Sequence, residues 1–412
     1  MTQAHWGESM MFRKQPNGVV GGVLLACVCA FGCSSVAGVE PWRVGMSAAF
    51  SGPAADLGNA MRFGIESHFQ TVNDAGGVHG RPLELIALDD GYMPARAAQN
   101  MRTLIDDHRV ICVLGNVGTP TAAVAVPIAN EKGVPIFGAM TGASLLRREP
   151  PDRFVFNFRA SYAQECRTII AGLVEDLRIP PDRIGFFTQN DAYGDAGWNG
   201  AVTALESLGF EDGELLPHGR YTRNTVNIES GLSELMDPLH SVEAVVMVGA
   251  YKPCARFIEL ARGNGFEPLF VNLSFVGTSA LINELGQWGE GVVITQVVPP
   301  PGGDSKAAND YREMVPEGER DFVSFEGFLA ARSFVQALRS AGATADSSRL
   351  VEALETDFTP KIGLDSMRTL SRTEHQLSHR VWPTVIRDNE AIELSSWNDL
   401  RSTEPIFSGP NE

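Results

Sequence analysis

From Pro41 onward the chain alternates short apolar runs with longer stretches in which apolar residues recur every three or four positions. "WRVGMSAAF" predicts a strand, and the small residues and Pro of "SGPAADLG" predict a turn. In "NAMRFGIESHFQTVNDAGG", Met61, Ile65, Phe69 and Val72 fall at helical spacing, and paired glycines end the helix. "RPLELIALDD" is the next strand, "MPARAAQNMRTLIDDH" a helix, "RVICVLG" a third strand, and "VPIFGAM" a fourth after another helix. This rhythm predicts right-handed βαβ units on a parallel sheet.

The pattern then repeats. "DRIGFFTQ", "EAVVMVG", "EPLFVN" and "GVVITQVV" read as strands, with helices around "GWNGAVTALESLG" and "PCARFIELARGNG". "FVFNFRAS" reads as a strand leaving one sheet for another, and "VVPPPGGDS" is a second break. The helices "FLAARSFVQALRSAG" and "SSRLVEALE" follow, the first with an apolar stripe that reads as core against the first sheet. "HRVWPTVIRDNEAIELSSW" closes the chain as strand with a turn at Asp388 and Asn389. Two α/β series joined by several crossings predict two lobes of discontinuous sequence around a cleft, with a ligand at the carboxyl ends of the strands.

A length of 412 residues with 44% hydrophobic content suffices for two cores. The net charge of −17 with no basic stripe argues against nucleic acid as partner. Ahead of the fold, Arg13 and Lys14 precede an apolar run from Val19 to Phe31 and then small residues, the pattern of a secretory signal. "AFGC", ending at Cys33, resembles a bacterial lipobox with Ala30 where Leu is usual, whereas "SVA", ending at Ala37, suits ordinary cleavage. Either exit predicts export to the periplasm, with Cys33 as the candidate lipidation site and that anchor as the one contact with the membrane. Cys112, Cys166 and Cys254 remain in the mature chain without a CxxC pair, which leaves one disulfide or none open.

"GNVGTPT", residues 115–121, follows a buried strand and opens a helix, so its backbone N–H groups form an anion site at a helix N-terminus. It lacks G-x-G-x-x-G and G-x-x-x-x-G-K-[ST], so neither nucleotide-phosphate fingerprint is met. Asp89 and Asp90 end a strand at the same face, where turn capping is the favoured role over acid–base work. His375 and His379 stand four apart without an HExxH order, and a structural role is favoured there too.

Four stretches together resemble the extracytoplasmic solute-binding proteins of bacterial ABC importers, in particular the leucine/isoleucine/valine-binding group. They are "AAFSGPAADLGNAMRFGIESHFQTVNDAGGVHGRPLELIALDD", "VLGNVGTPTAAVAVPIANEKGVPIFGAMTGAS", "QNDAYGDAG" and "SFEGFLAARSFVQALRSAG". The resemblance implies an α/β, type I periplasmic-binding fold that closes on ligand by hinge motion. It implies no catalysis, cofactor or metal, a permease partner in the inner membrane, and a monomer. By resemblance the signal segment is 1–37, lobe 1 is 40–157 plus 301–370, and lobe 2 is 158–300 plus 371–412.

The same resemblance assigns Thr119 and Thr121, with Ala139 and Thr141, to a grip on a ligand carboxylate. Tyr193 and Tyr251 match aromatic positions that cover the ligand from the second lobe. Ser274 stands where relatives that bind α-amino acids carry an acid, and Leu57 where branched-chain binders place an aromatic contact. Val117, Asp191 and Glu326 complete the candidate set. The departure at Ser274 points to a small organic or aromatic acid without an α-amino group, unless Asp191 or Glu326 restores the charge, because a buried unpaired ammonium is costly. The rival readings are a sensor acting on another protein, and a nucleotide-dependent enzyme, which the missing fingerprints and export disfavour.

Overall fold

The computed structural model describes residues 39–365 and 367–401. The signal segment and Cys33 lie outside the described residues.

The first sheet is built from β1 (Trp42–Ala48), α1 (Ala55–Asp74), β2 (Leu83–Asp89), α2 (Pro94–Arg102), β3 (Cys112–Leu114), α3 (Thr119–Lys132), β4 (Ile136–Phe137) and β5 (Val155–Phe156). Its strands are all parallel in the order β2-β1-β3-β4-β5. After β5 the chain crosses to a second sheet through α4 (Tyr162–Ala171), β6 (Ile184–Gln189), α5 (Ala192–Ser207), β7 (His218–Tyr221), α6 (Glu229–Leu235) and β8 (Ala244–Val248). It continues with α7 (Tyr251–Gly263), β9 (Leu269–Asn272), α8 (Thr278–Leu285) and β10 (Val293–Gln296).

Three helices then pack beside α1: α9 (Lys306–Met314), α10 (Phe322–Ala341) and, against α10, α11 (Ser347–Glu355). The antiparallel hairpin β11 (Trp382–Arg387) and β12 (Glu390–Glu393) finishes the second sheet, in the order β12-β11-β10-β9-β8-β6-β7. Asp388 and Asn389 both have positive φ, 51° and 62°, as a two-residue hairpin turn matching strand twist requires.

Local signals account for the element starts. Ser161 and Gln164 form a capping box on α4, and Asp321 and Ser324 form one on α10. α10 is buried on nearly every side because α1 lies along it. Gly64 of α1 makes that approach possible: a Cβ there would meet the Ser324 carbonyl oxygen at 1.8 Å.

Five of these elements are not expected from the sequence: α4 and α8, and also β7, α6 and α9, which lack a signal of their own. β7 is an edge strand, "HGRY", with little apolar content, and its Gly219 sits directly on Gly231 of α6. α6 buries only two large side chains and α9 only one, too few for a clear period.

The crossing segments lie side by side. Asn157 N donates to His375 O at 2.7 Å, and Leu377 N returns a bond to Asn157 O at 2.9 Å. His375 is buried, with Nδ1 2.9 Å from Val155 O and its ring stacked on Phe156. It thus ties the crossing strands together, in keeping with a structural role.

Candidate functional site

Both sheets share one order. Taking β6 to β10 as one to five, the second sheet reads 2-1-3-4-5 like the first, with the hairpin added at its far edge. In such sheets a crevice opens beyond the carboxyl ends of the two strands at the switch point. Those are β1 and β3 in one lobe, and β6 and β8 in the other.

Beyond β3, Gly118 caps α3 with φ 103°, and a Cβ there would stand 2.2 Å from the Tyr92 ring. Only glycine meets both conditions. Gly118 N donates to Met140 O and Met140 N to Asn116 O, which fastens the turn after β3 to the turn after β4. Val117 lies in this bridge, paired with Met140, and Ala139 accepts from Thr141 N at 2.8 Å.

As a result Thr119 Oγ1 and Thr141 Oγ1, both fully buried, are 2.7 Å apart. One hydroxyl donates to the other, and Ala143 N donates to Thr141 Oγ1. One threonine hydrogen is left for an outside acceptor. Thr121 differs: its hydroxyl donates to Val117 O and Gly118 O at 2.6 and 2.9 Å, so its side chain holds the turn. At the first turn of α3 its backbone N–H is still one of the groups that a helix N-terminus leaves open.

The opposite wall is aromatic. Tyr193 packs on Phe275 and Tyr162 at centroid distances of 4.6 and 5.3 Å, and Tyr92 of the first lobe faces Phe275 at 6.1 Å. The Tyr193 hydroxyl is 3.5 Å from Gly249 O, within its own lobe. Tyr251 starts α7 and meets Asp56 of α1, and its burial and this carboxylate push its hydroxyl pKa up. Leu57 of α1 rests on Gly277, where an added Cβ would lie 2.3 Å away. Outside that contact, a groove of about 560 Å³ runs between α1 and α8, lined by Asp56, Arg62, Asn283, Glu284 and Arg320. Asp191 stands beside the wall: it caps α5 through Tyr193 N, pairs with Arg223 at 2.8 Å and accepts from Gln189 Nε2, which also donates to the Tyr92 hydroxyl.

Between the two walls is a charged cluster. Arg159, on the crossing after β5, donates from Nη2 to Ser274 Oγ at 2.5 Å and meets Glu326 Oε1 of α10 with Nε at 3.2 Å. Glu165 of α4 accepts from Ser274 N, Ser274 Oγ and Thr295 Oγ1 at 2.8, 3.0 and 2.6 Å. Burial opposes the charge on Arg159, but the Glu326 and Glu165 carboxylates raise its pKa above the ordinary value. Burial raises Glu165 and Glu326, with Arg159 pulling both back.

Ser274, standing where relatives carry an acid, is thus bonded to Glu165 and, through Arg159, lies beside Glu326, one of the two acids expected to restore the charge. One carboxylate from α4 and one from α10 flank this position, and Arg159 meets Ser274 and Glu326 there. The sequence reading included Glu326 and Ser274 but missed Arg159, Tyr162, Glu165, Tyr92 and Phe275. A charged residue closing the apolar "FVFNF" run was the one visible signal for Arg159. Cys112, Cys166 and Cys254 are free, buried thiols, which answers the disulfide question in the negative.

A sequence profile of the family described as periplasmic binding protein matches residues 41–391. Among solved structures, the chain is similar to a possible leucine/isoleucine/valine-binding protein from Rhodopirellula baltica SH 1. Identity is 43%, the TM-score is 0.85, and the match covers 90% of this chain and 100% of that one. A branched chain amino acid ABC transporter from Thermus thermophilus with bound valine shares the fold at 17% identity and TM-score 0.76, over 89% and 100% of the two chains. The Leu/Ile/Val-binding protein of Escherichia coli K12 is 22% identical over 68% of this chain and 73% of its own length.

Proposed function

Since the chain belongs to the periplasmic binding protein family, we propose that it captures a small carboxylate-bearing ligand between its lobes and delivers it to the permease of an ABC importer. The observation that carries the ligand class is the Thr119–Thr141 hydroxyl pair at the open N-terminus of α3, which keeps one donor hydrogen for an acceptor. A helix N-terminus favours a negative group, and donors to a carboxylate contribute about 1.5–3 kcal/mol each. The aromatic wall of Tyr92, Tyr162, Tyr193 and Phe275 suits an apolar or aromatic ligand body. Amino-acid-like ligands belong to this class because Glu326 is at hand for an ammonium.

Binding is coupled to hinge closure in this reading. Lobe 1 is 40–157 plus 301–370 and lobe 2 is 158–300 plus 371–412, with the crossings between them as hinge. Thr119, Thr141, Ala139 and the Thr121 N–H offer the first grip. Tyr193 and Tyr251 join only when the lobes meet, so ligand selects the closed state. The protein works as an exported monomer without cofactor or catalytic step, and Cys33 is its lipid anchor if the lipobox is used. Micromolar affinity corresponds to about −8 kcal/mol, within reach of a few such bonds plus apolar burial after ordering costs.

A calorimetric and thermal-shift screen of amino acids, hydroxy acids and aromatic acids tests the reading. Saturable binding of a carboxylate, lost in its amide, is expected. A panel in which no carboxylate binds would overturn the ligand class.

A further inference from the structure

We propose that Arg159 is the charged end of the ligand grip: its Nη1, together with the Tyr162 hydroxyl, receives the ligand carboxylate beside Thr119 and Thr141. This rests on the carboxylate reading above and goes beyond it, because neither residue belongs to the two strand-end turns that form the grip by resemblance.

The starting point is which polar atoms the protein leaves without partners. Arg159 is 1% exposed. Its Nη2 is taken by Ser274; Nε lies 3.2 Å from Glu326 Oε1 as an ion pair without an aligned hydrogen bond, and Nη1 has no hydrogen-bond partner among the described residues. Tyr162, also 1% exposed, leaves its Oη without an aligned partner. That hydroxyl nevertheless stands against those of Thr141 and Thr119, which are bonded to each other, and within the field of Arg159. Buried groups of this kind are rare because each forfeits its bonds to water. Three groups of this cluster therefore offer donors that no protein acceptor fills: Nη1 with its two N–H bonds, the Tyr162 hydroxyl and the Thr119–Thr141 pair with its one spare hydrogen.

The nearby protein acceptors do not fill that need. Both oxygens of Glu165 are occupied by Ser274 and Thr295, and the Glu326 contact is made to Nε, on the other side of the guanidinium. A carboxylate, an acceptor with about four lone-pair sites, matches the donor set better than a single water.

The charge balance also permits an anion. Arg147 lies directly behind, donating to Thr141 O, Ala143 O and Arg159 O at 3.3, 3.1 and 3.0 Å. Two guanidinium groups therefore offset two carboxylates before any ligand arrives, and the α3 N-terminus adds partial positive charge.

The test compares E326Q with the double variant R159M/E326Q, which removes one charge of each sign, and adds Y162F, which removes only the Tyr162 hydroxyl. Benzoate, 4-methylpentanoate and L-leucine are titrated calorimetrically, each beside its primary amide. At least one acid is expected to bind the unchanged protein, with its amide about tenfold weaker or worse. That acid should lose about tenfold to hundredfold in affinity between E326Q and R159M/E326Q, and about tenfold in Y162F. Acid affinity equal in E326Q and R159M/E326Q overturns the role of Arg159 and leaves the carboxylate reading standing. Should the double variant fail to fold, an unchanged affinity in Y162F overturns the proposal by itself. If none of the three acids binds the unchanged protein, the carboxylate reading fails and this inference with it.

Discussion

Thr119 and Thr141, 22 residues apart on successive strand-end turns, share a buried hydroxyl–hydroxyl hydrogen bond of 2.7 Å. Replacing one of them leaves the other hydroxyl buried without its partner, a cost of about 1–3 kcal/mol. T141V and T119V are each expected to lower the melting temperature of the ligand-free protein by a few degrees. T119V/T141V should cost less than the sum, because neither hydroxyl is then stranded. All three should weaken carboxylate binding at least tenfold or so. Calorimetry and thermal melts on the three variants check both parts, and wild-type affinity in T141V would remove that residue from the grip.

Closure is tested at Gly277. Its φ of 80° suits glycine, and an added Cβ would meet Leu57 of the other lobe at 2.3 Å. G277A should therefore hold the lobes apart, giving a larger radius of gyration in small-angle scattering with ligand and an affinity weaker by about tenfold or more. L57A/G277A removes the clash but not the backbone strain, so part of the loss should return. No recovery would show that strain, not interlobe contact, dominates.

Asp90 gives a pH signature. It is fully buried behind Tyr92, accepting from Ser47 Oγ and Tyr92 N at 2.8 Å each, and burial raises its pKa from the ordinary 3.8 to about 6. The folded state therefore binds this proton more tightly than the unfolded state. The stabilisation is fully present below pH 3.8 and is lost as pH rises through about 6. D90N mimics the protonated form, and Ser47 can turn to accept from its amide. The melting temperature of D90N relative to wild type should rise between pH 4.5 and pH 7.5, by roughly a few degrees. A difference independent of pH would contradict the buried-acid assignment.

The three thiols yield a chemical prediction. Burial pushes the pKa values of Cys112, Cys166 and Cys254 well up, so thiolate is scarce as well as inaccessible. Ellman's reagent should detect almost no thiol in the native mature chain and all three after denaturation without reductant. Reductant should leave the melting temperature unchanged. A shortfall in the denatured count would indicate a disulfide.

Much of the fold was legible in the chain because its signals are local. The apolar runs, the periodic face of α1, the apolar stripe of α10, and the Asp388–Asn389 turn each depend on neighbours a few positions away. α4, β7, α6, α8 and α9 were not, since an edge strand and short helices bury too little to leave a clear period. Within the candidate site, "GNVGTPT" announced the helix N-terminus of α3, and the pairing of Thr119 with Thr141 follows from two adjacent parallel strands.

The charged centre is of another kind. Arg159, Glu165, Ser274, Thr295 and Glu326 come from a crossing segment, two helices and two strand ends, and Ser274 is separated from Arg159 by 115 residues. No local pattern encodes that meeting. A lone acid or arginine in the sequence reads as a solvated charge, and only burial between two lobes turns it into a paired one. The sequence thus determined most of the elements, the two-lobed fold and the helix-opening turn after β3. Which charges stand opposite that turn, and which polar atoms they leave unpaired, was decided by how the lobes close, because pairing and desolvation depend on distances that exist only in the folded molecule.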